Sequence, residues 1–418
     1  MDKFVIEGQH TLTGEIVVSG AKNAALPIMA ATLLWPGGYV LRNVPDLRDT
    51  RTFIRLMELI GAQVVFVDNR LDIDTRGCNR PEAPYELVKT MRASFYVLGP
   101  LLARFGRCRV SLPGGCNWGP RPVDLHLSAM EALGATITLD SGYIIAEGPV
   151  IGATINFEIS SVGATGNALM AAVRAQGETI INNAAQEPEI VALAHFLQKM
   201  GAQIGGIGTT TLRITGQKEL HDAEEEIIPD RIEAGTFLIA GALAGSKVRI
   251  NHLREDHLTA VLDKLTAAGV TVRHLDQAIE LSRPKTITPV NIVTAPYPGY
   301  PTDLQAQWMA FMTQAEGSSV VQDNIYVDRF AHVPELSRLG AQINLNYNVA
   351  TVKGPTELIG APVMSTDIRA SAAIVLTALV AEGTTELSRV YHIDRGYEAI
   401  EQKFAALGAH IRRLPEDD

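Results

Sequence analysis

Apolar and polar positions along this chain follow a pattern that recurs six times. In each occurrence an apolar helical stretch ends in a glycine and a small residue, and a strand-like run comes next, as in LMELIGAQVVF and LTAAGVTV. Glycine suits the left-handed position that closes many helices, and β-branched residues favour strands. The six glycines, spaced 67 to 73 residues apart, are Gly61, Gly134, Gly201, Gly269, Gly340 and Gly408. The pattern therefore predicts six α/β repeats of about 70 residues.

Each repeat also contains an earlier helix that is apolar along most of its length and polar only at its start. A helix that is apolar on nearly every side is buried. These six helices begin near Ser19, Lys89, Ser160, Pro229, Pro301 and Ser365. We therefore expect six interior helices whose polar first turns emerge where the interior meets solvent.

The starts of these interior helices divide the repeats into two groups. The last three begin with an aspartate, Asp230, Asp303 or Asp367, and the first three do not. The division falls near residues 228–230, just after the charged stretch 221–226. We predict two domains of three α/β units each, with interior helices enclosed by sheets and outer amphipathic helices.

Composition narrows the function classes. The chain has 418 residues, 46% of them hydrophobic, which is enough for two cores. Its net charge is −10 with no basic cluster, which argues against nucleic acid, and its longest apolar runs are far shorter than the roughly 20 residues of a membrane span. Three cysteines without ligand spacing argue against a zinc site or a disulfide framework. The first residues lack a signal-peptide pattern, so we predict a cytoplasmic protein.

Basic groups dominate the helix starts and the loops before the outer helices, although the protein as a whole is acidic. Guanidinium groups bind phosphate and carboxylate in a bidentate manner, whereas single surface ion pairs are common and weak. The pattern favours a ligand that carries both anionic groups. The helix starts supply Lys22, Asn23, Arg92, Ser161, Val162, Gly163, Asp230, Arg231, Asp303, Asp367 and Arg369, and the loops supply Asp49, Cys116, Arg121, Glu187, Asp256, Arg329, Asp394 and Arg395.

Three of these features have more than one interpretation. Ser161 to Gly163 could cradle a phosphate at a helix start, but Ser161 equally fits an ordinary N-cap. Asp303 follows APYPGYPT and is a candidate general base, although an aspartate in a first turn often only stabilises its helix. Cys116, in SLPGGCNWGPRP, could be a buried apolar residue. The glycine-flanked polar loop favours a thiol that donates a proton or attacks as a thiolate.

Ten segments in order along essentially the whole chain resemble the UDP-N-acetylglucosamine enolpyruvyl transferases. They are GAKNAALP, LVKTMRAS, LPGGC with RPVDLH, SVGAT, EPEIV, PDRIE, PTDLQAQ, RFAHVPELSRLGA, TDIRAS and HIDRGYE. The resemblance implies a two-domain inside-out α/β barrel of six βαβαββ-type repeats, with domains 22–229 and 1–21 plus 230–418 and an active site in the cleft between them. It implies transfer of the enolpyruvyl group of phosphoenolpyruvate to the 3′-hydroxyl of UDP-N-acetylglucosamine with release of phosphate, the first committed step of peptidoglycan synthesis. It implies no metal and no organic cofactor.

The resemblance also implies roles for individual residues. Cys116 would protonate the methylene carbon of phosphoenolpyruvate and Asp303 would take the sugar hydroxyl proton. The groups that hold phosphate and carboxylate would be Lys22, Arg92, Arg121, Arg369 and Arg395, with Arg329 helping closure. The nucleotide sugar would contact Asn23, Ser161, Val162, Gly163, Asp303 and Ile325, with Arg121, Pro122, Val123, Asp124 and Leu125 around the uridine.

Two departures from the family pattern and two alternative functions stay open. Ile159 stands near where a lysine often faces the UDP phosphates, so the affinity for diphosphate could be weaker. Trp118 and Pro120 could stiffen the Cys116 loop. The sister enzyme that acts on shikimate 3-phosphate shares the architecture but lacks the PGGC loop. A catalytically silent nucleotide-sugar binder is the third possibility, and Cys116, Asp303 and Arg395 argue against it.

Overall fold

The computed structural model describes residues 2–112 and 123–416. The chain forms two compact units, one from Met1–Ser19 with Pro229–Asp418 and the other from Gly20–Ile228. The predicted boundaries, after residues 21 and 229, lie one or two residues further along. Hydrogen bonds close each unit at these points: Asp230 N donates to Ser19 O in the first unit (2.9 Å), and Ala21 N donates to Ile228 O in the second (2.7 Å).

The strands of the described residues form six four-stranded sheets, three in each unit, all with one pairing pattern. In each sheet one edge strand pairs parallel with a second strand, which pairs antiparallel with a third, and the third pairs antiparallel with the fourth. In the Gly20–Ile228 unit the strands are, in sheet order, Glu224–Glu226, Gly38–Arg42, Arg70–Asp74 and Gln63–Val67; Glu82–Ala83, Arg107–Ser111, Tyr143–Glu147 and Thr136–Asp140; Thr154–Asn156, Glu178–Asn182, Thr211–Thr215 and Gln203–Gly205. In the other unit they are Leu12–Val17, Gly245–Asn251, Ala278–Leu281 and Val272–Leu275; Ile292–Val293, Gly317–Gln322, Val349–Gly354 and Gln342–Asn346; Pro362–Met364, Thr384–Ser388, Asp2–Glu7 and His410–Pro415.

Helices lie between the strands, and the apolar ones are buried as predicted. In Gly20–Ile228 the α-helices are Lys22–Ala31, Arg48–Ile60, Tyr85–Val88, Leu98–Phe105, Asp124–Ala132, Val162–Ala172 and Pro188–Lys199, with 3-10 turns at Thr32–Leu34 and Arg92–Val97. In the other unit they are Arg231–Ala244, Thr259–Ala267, Gln305–Met312, Val333–Arg338, Ile368–Val380 and Ile400–Ala406, with 3-10 turns at Glu255–His257, Thr302–Leu304 and Val390–Arg395. The helices Arg231–Ala244, Gln305–Met312 and Ile368–Val380 pack against one another. Nearly all their side chains are buried because they form the interior of their unit.

The six glycines of the repeat have the backbone conformation that the pattern predicts. Each follows the end of a helix, and their φ angles run from 89° at Gly408 to 113° at Gly61. A side chain is strained in this left-handed region, so glycine suits these positions. The sequence signature therefore reports one helix-to-strand turn used six times. In the part of the chain that the structure describes, no helix combines the length and the apolar character that a membrane crossing needs.

Candidate active site

A carboxylate held by two arginines is the central polar group of the unit that contains the C-terminal half of the chain. Asp303 lies in the 3-10 turn Thr302–Leu304, directly before the helix Gln305–Met312. Its Oδ1 accepts a hydrogen bond from Arg329 Nη2 at 2.7 Å and is 3.3 Å from Arg369 Nε. No side chain caps this helix start, so Asp303 is not an N-cap. The structure brings three of the predicted site residues together here.

The electrostatics of this group keep Asp303 ionised. Burial raises the pKa of a carboxyl group, but the guanidinium groups of Arg369 and Arg329 outweigh it and hold the pKa of Asp303 well below its usual range. Burial also opposes the charge of Arg369, yet Asp303 raises the pKa of that guanidinium. The Asp303 side chain is 26% exposed, whereas those of Arg329 and Arg369 are 9% and 5% exposed. The carboxylate is thus the most accessible member of the group.

Arg369 packs against a buried polar network. It is the second residue of the helix Ile368–Val380, whose N-cap Asp367 accepts hydrogen bonds from the N–H groups of residues 369 and 370. Its guanidinium lies 5.4 Å from the ring centre of Tyr397, whose hydroxyl contacts Thr236 Oγ1 at 2.9 Å and Gln307 Nε2 at 3.1 Å. Nη1 of Arg369 is buried and has no hydrogen-bond partner among the described residues. A buried guanidinium N–H of this kind favours an anionic ligand.

Two further predicted residues lie in the same unit. Arg395 ends the 3-10 turn Val390–Arg395 and is half-buried. A Cβ atom on the next residue, Gly396, would lie 2.4 Å from Ile368 Cγ2, so only glycine lets this segment approach the helix start that carries Arg369. Ile325 is exposed, as a contact to a ligand requires.

Lys22 occupies a comparable place in the Gly20–Ile228 unit. It is the first residue of the helix Lys22–Ala31, and its Nζ lies 3.1 Å from Asp49 Oδ2. Both side chains are buried, and Asn23 beside Lys22 is half-buried. A buried ammonium needs a counter-charge, which Asp49 supplies. The pair lies at a helix start, where the helix dipole favours an anion.

A neutral histidine marks a second helix start in this unit. Burial, with help from the charge of Arg92, lowers the pKa of His126 to about 3. Its Nδ1 accepts from Asn167 Nδ2 at 2.9 Å, because the amide oxygen of Asn167 is used by Gly99 N. The proton therefore resides on Nε2, which a Cβ atom on Gly163 would approach to 3.0 Å. His126 Nε2 and the Gly163 helix start thus lie side by side.

The remaining predicted residues of this unit have simpler surroundings. Ser161 is an N-cap whose Oγ accepts from Ala164 N at 3.3 Å, so the capping interpretation holds for it, and Val162 and Gly163 form the first turn of Val162–Ala172. Val123, Asp124 and Leu125 begin the helix Asp124–Ala132. Ile159 is exposed.

Cys116, Arg121 and Pro122, with Trp118 and Pro120, lie outside the described residues. The other two cysteines are buried, as the apolar interpretation of a free cysteine predicts. Burial raises the pKa of Cys78, and it raises the pKa of Cys108 to about 12. Because the thiolate is the reactive form, these two thiols are poor nucleophiles at neutral pH.

We therefore expect that a limiting amount of iodoacetamide at pH 7.5 labels the native protein at Cys116. The reason is that Cys78 and Cys108 are shielded and protonated. Peptide mass spectrometry measures the site, and fosfomycin gives the same test with an epoxide. Labelling in guanidinium chloride, where all three thiols react, is the control. Equal native labelling of Cys108 and Cys116 would contradict the assignment.

Some residues of the site could not be recognised from the sequence. Asp323 is fully buried and accepts hydrogen bonds from Thr302 Oγ1 and Thr294 Oγ1, each at 2.7 Å. The only signal is its place directly after an apolar strand. His126 lies in the segment RPVDLH, but its sequence position alone indicates no role, because its contacts with Asn167 and Gly163 depend on the fold.

One group of potential metal ligands occurs among the described residues. Atoms of Glu7, His10 and His410 lie within 4.8 Å of one another. The Glu7 carboxylate already faces Arg412 Nη2 at 3.4 Å, a cation that competes with a metal. The group therefore gives no support to a metal-dependent reaction.

Two solved structures share this architecture. The enolpyruvyl transferase NikO from Streptomyces tendae matches with a TM-score of 0.90 and 26% identity, over 99% of this chain and 98% of that one. An EPSP synthase from Acinetobacter baumannii matches with a TM-score of 0.76 at 16% identity, over 99% and 100% of the two chains, which bears on the fold alone. The fold is therefore the two-domain α/β fold of this class.

Sequence relatives narrow the class. Residues 6–404 match the family model described as EPSP synthase (3-phosphoshikimate 1-carboxyvinyltransferase). The UDP-N-acetylglucosamine 1-carboxyvinyltransferase of Chlorobaculum parvum is 58% identical over 99% of this chain and 98% of its own length. The enzyme of the same name from Geotalea daltonii is 54% identical over the full length of both chains. The chain belongs to the EPSP synthase family and, within it, to the UDP-N-acetylglucosamine 1-carboxyvinyltransferases.

Proposed function

We propose that this protein transfers the enolpyruvyl group of phosphoenolpyruvate to the 3′-hydroxyl of UDP-N-acetylglucosamine and releases phosphate. The observation that carries the proposal is the Asp303 carboxylate held between Arg329 and Arg369. One group can accept a proton from a hydroxyl, and its neighbours can bind an anion that carries phosphate and carboxylate. The relatives that bear the name of this activity support the same choice.

The reaction then proceeds by addition and elimination. Asp303 removes the proton of the sugar hydroxyl as its oxygen attacks C2 of phosphoenolpyruvate, and Cys116 delivers a proton to the methylene carbon. The product is a tetrahedral intermediate. In the elimination, the Cys116 thiolate takes a proton back from the new methyl group, and phosphate departs with the proton that Asp303 took from the hydroxyl. The double bond is restored, and both side chains return to their starting protonation states. In this scheme, Lys22, Arg92, Arg121, Arg369 and Arg395 bind the anionic groups and stabilise the intermediate.

The nucleotide sugar contacts the second set of residues. These are Asn23, Ser161, Val162, Gly163, Asp303 and Ile325, with Arg121, Pro122, Val123, Asp124 and Leu125 at the uridine. The neutral His126 supports this part of the proposal because its Nε2–H lies at the Gly163 helix start, where a phosphate oxygen can accept it. That both units contribute to one active site stays a prediction.

The proposal includes a step in peptidoglycan synthesis and a location in the cytoplasm. The two buried free thiols Cys78 and Cys108 support a reducing compartment. No cofactor takes part in the proposed chemistry.

The test is phosphate release by the purified protein with phosphoenolpyruvate and either UDP-N-acetylglucosamine or shikimate 3-phosphate. We expect release with the nucleotide sugar and none with shikimate 3-phosphate. Release only with shikimate 3-phosphate would reassign the substrate. Binding of the nucleotide sugar, seen by calorimetry, without release of phosphate would make the protein a binder and would overturn the proposal.

A further inference from the structure

A buried carboxylate lies one residue beyond the end of a central strand, behind Asp303. Asp323 follows the strand Gly317–Gln322, which pairs parallel with Ile292–Val293. Parallel strands end at the same edge of a sheet, so the residues that follow them, Asp323 and Thr294, meet. Thr294 Oγ1 donates to Asp323 Oδ1 at 2.7 Å. The backbone of Asp323 is fixed on its other side, because its N–H and C=O both bond to Asn348 at 3.0 Å.

In three of the other sheets, the residue after the central strand is also joined to the residue after the parallel edge strand, but by a different hydrogen bond. The residues that follow their central strands are Asn43, Asn183 and His252, all with φ between 55° and 58°. Each donates a side-chain hydrogen bond to the backbone oxygen of the residue after the edge strand, at 2.8 to 3.1 Å. A side-chain donor therefore suffices to join the ends of these two strands. Asp323 reverses the direction of the bond, since a carboxylate can only accept, and its φ is not positive.

Because Asp323 accepts this hydrogen bond, its carboxylate oxygens can also accept from other donors. Asp323 Oδ1 also accepts from the N–H groups of Ile325 and Tyr326 at 2.9 Å, which shapes the turn that exposes Ile325. Oδ2 accepts from Thr302 Oγ1 at 2.7 Å. A fully buried carboxylate is costly unless it is hydrogen-bonded, and here four donors face it. Joining the ends of the two strands does not require four donors, so it does not explain this arrangement.

Thr302 connects Asp323 to the candidate base. Because its hydroxyl proton goes to Asp323, its oxygen lone pairs point elsewhere, and one accepts from Arg329 Nη1 at 3.0 Å. Arg329 then places Nη2 on Asp303. The chain of bonds runs from Asp323 through Thr302 and Arg329 to Asp303.

We propose that Asp323 is a positioning residue that, through Thr302, holds Arg329 and Asp303 in the arrangement that the reaction uses. The proposal rests on the proposed function, because it assigns a purpose to the geometry of Asp303. It does not make Asp323 a catalytic residue, since Thr302 and Arg329 lie between it and the carboxylate that meets substrate.

The test compares Thr302→Val, Thr302→Ser and Asp323→Asn with a matched buried control, Thr313→Val. Thr313 closes the opposite end of the helix Gln305–Met312, is fully buried, and donates one hydrogen bond to Ala310 O at 2.7 Å. Loss of this hydroxyl should destabilise the protein about as much as loss of the Thr302 hydroxyl, which thermal unfolding checks.

We expect Thr302→Val to lower kcat for phosphate release about 10-fold, since small misplacements of a catalytic group are costly. The KM for UDP-N-acetylglucosamine should change little, and the acid limb of the kcat profile should move to higher pH because Arg329 relaxes from Asp303. Thr302→Ser should restore both quantities, and Thr313→Val should leave both unchanged. The double variant Asp323→Asn with Thr302→Val should be no slower than the slower single variant, because both break one connection.

Equal kcat and equal pH profiles in Thr302→Val and Thr313→Val would overturn the proposal, as would additive losses in the double variant. If wild-type protein releases no phosphate, the proposed function fails, and a direct measurement still decides the inference. The carbon-13 carboxyl resonance of Asp303, assigned by its loss in Asp303→Asn, should titrate at higher pH in Thr302→Val than in wild type. An identical midpoint would reject the connection.

Discussion

Replacing Asp303 by asparagine is expected to lower kcat for phosphate release about 10³-fold, within the range found for loss of a general base. The amide cannot take a proton from the sugar hydroxyl, although its oxygen can still accept from Arg329. Steady-state kinetics at saturating phosphoenolpyruvate measures the effect. The KM for the nucleotide sugar should change much less than kcat, because the loss falls on the transition state.

The matched control is Asp263→Asn, an exposed carboxylate on the helix Thr259–Ala267 of the same unit. It should keep wild-type kinetics. Thermal unfolding of Asp303→Asn must be followed as well, since the change removes a carboxylate charge that faces two buried guanidinium groups. A folded variant with less than about a 10-fold loss would exclude Asp303 as the base.

Arg369→Gln is expected to lower kcat about 10²-fold, as is typical when one donor to developing charge is removed. The KM for phosphoenolpyruvate should rise at the same time, because the buried guanidinium would no longer face the ligand. Arg338→Gln is the matched control: that arginine is on the surface and bonds to the backbone oxygen of Pro362. An unchanged KM together with an unchanged kcat would remove Arg369 from the site.

We also expect Arg369→Gln to change the pH dependence of kcat. Arg369 is the main charge that lowers the pKa of Asp303 against the opposing effect of burial. Without it the pKa of the carboxyl rises, and a general base works only when it is deprotonated. Activity on the acid side should therefore be lost at higher pH in Arg369→Gln than in wild type, as a pH profile of kcat shows. A shift to lower pH would contradict the charge arrangement.

Local patterns in the sequence predict much of the fold. The glycine at each helix end and the apolar interior helices depend on residues close in the chain, and both are found where the pattern places them. The pairing of strands is different, because it joins distant segments. Asp2–Glu7 pairs with Thr384–Ser388 and with His410–Pro415, and no local pattern specifies these partners.

In the site, too, some features follow from local sequence and others depend on distant residues. The aspartates Asp230, Asp303 and Asp367 look alike in sequence, yet Asp230 and Asp367 cap their helices and Asp303 does not. The difference arises because Asp303 lies in a 3-10 turn where distant arginines reach it. The contacts of Asp323 cannot be predicted locally for a related reason: its partners Thr294 and Thr302 are separated from it by 20 residues or more in the sequence.

The route of the chain through the two units imposes an order on synthesis. The strands Asp2–Glu7 and Leu12–Val17 leave the ribosome long before their partners Gly245–Asn251, Thr384–Ser388 and His410–Pro415. The segment Gly20–Ile228 contains all the strands of its own sheets and can fold in the interval. At about 5 to 20 residues per second, the N-terminal strands wait on the order of 10 s or more for the first partner. During that time they are exposed edges, which makes this stretch a natural target for chaperones that protect nascent chains.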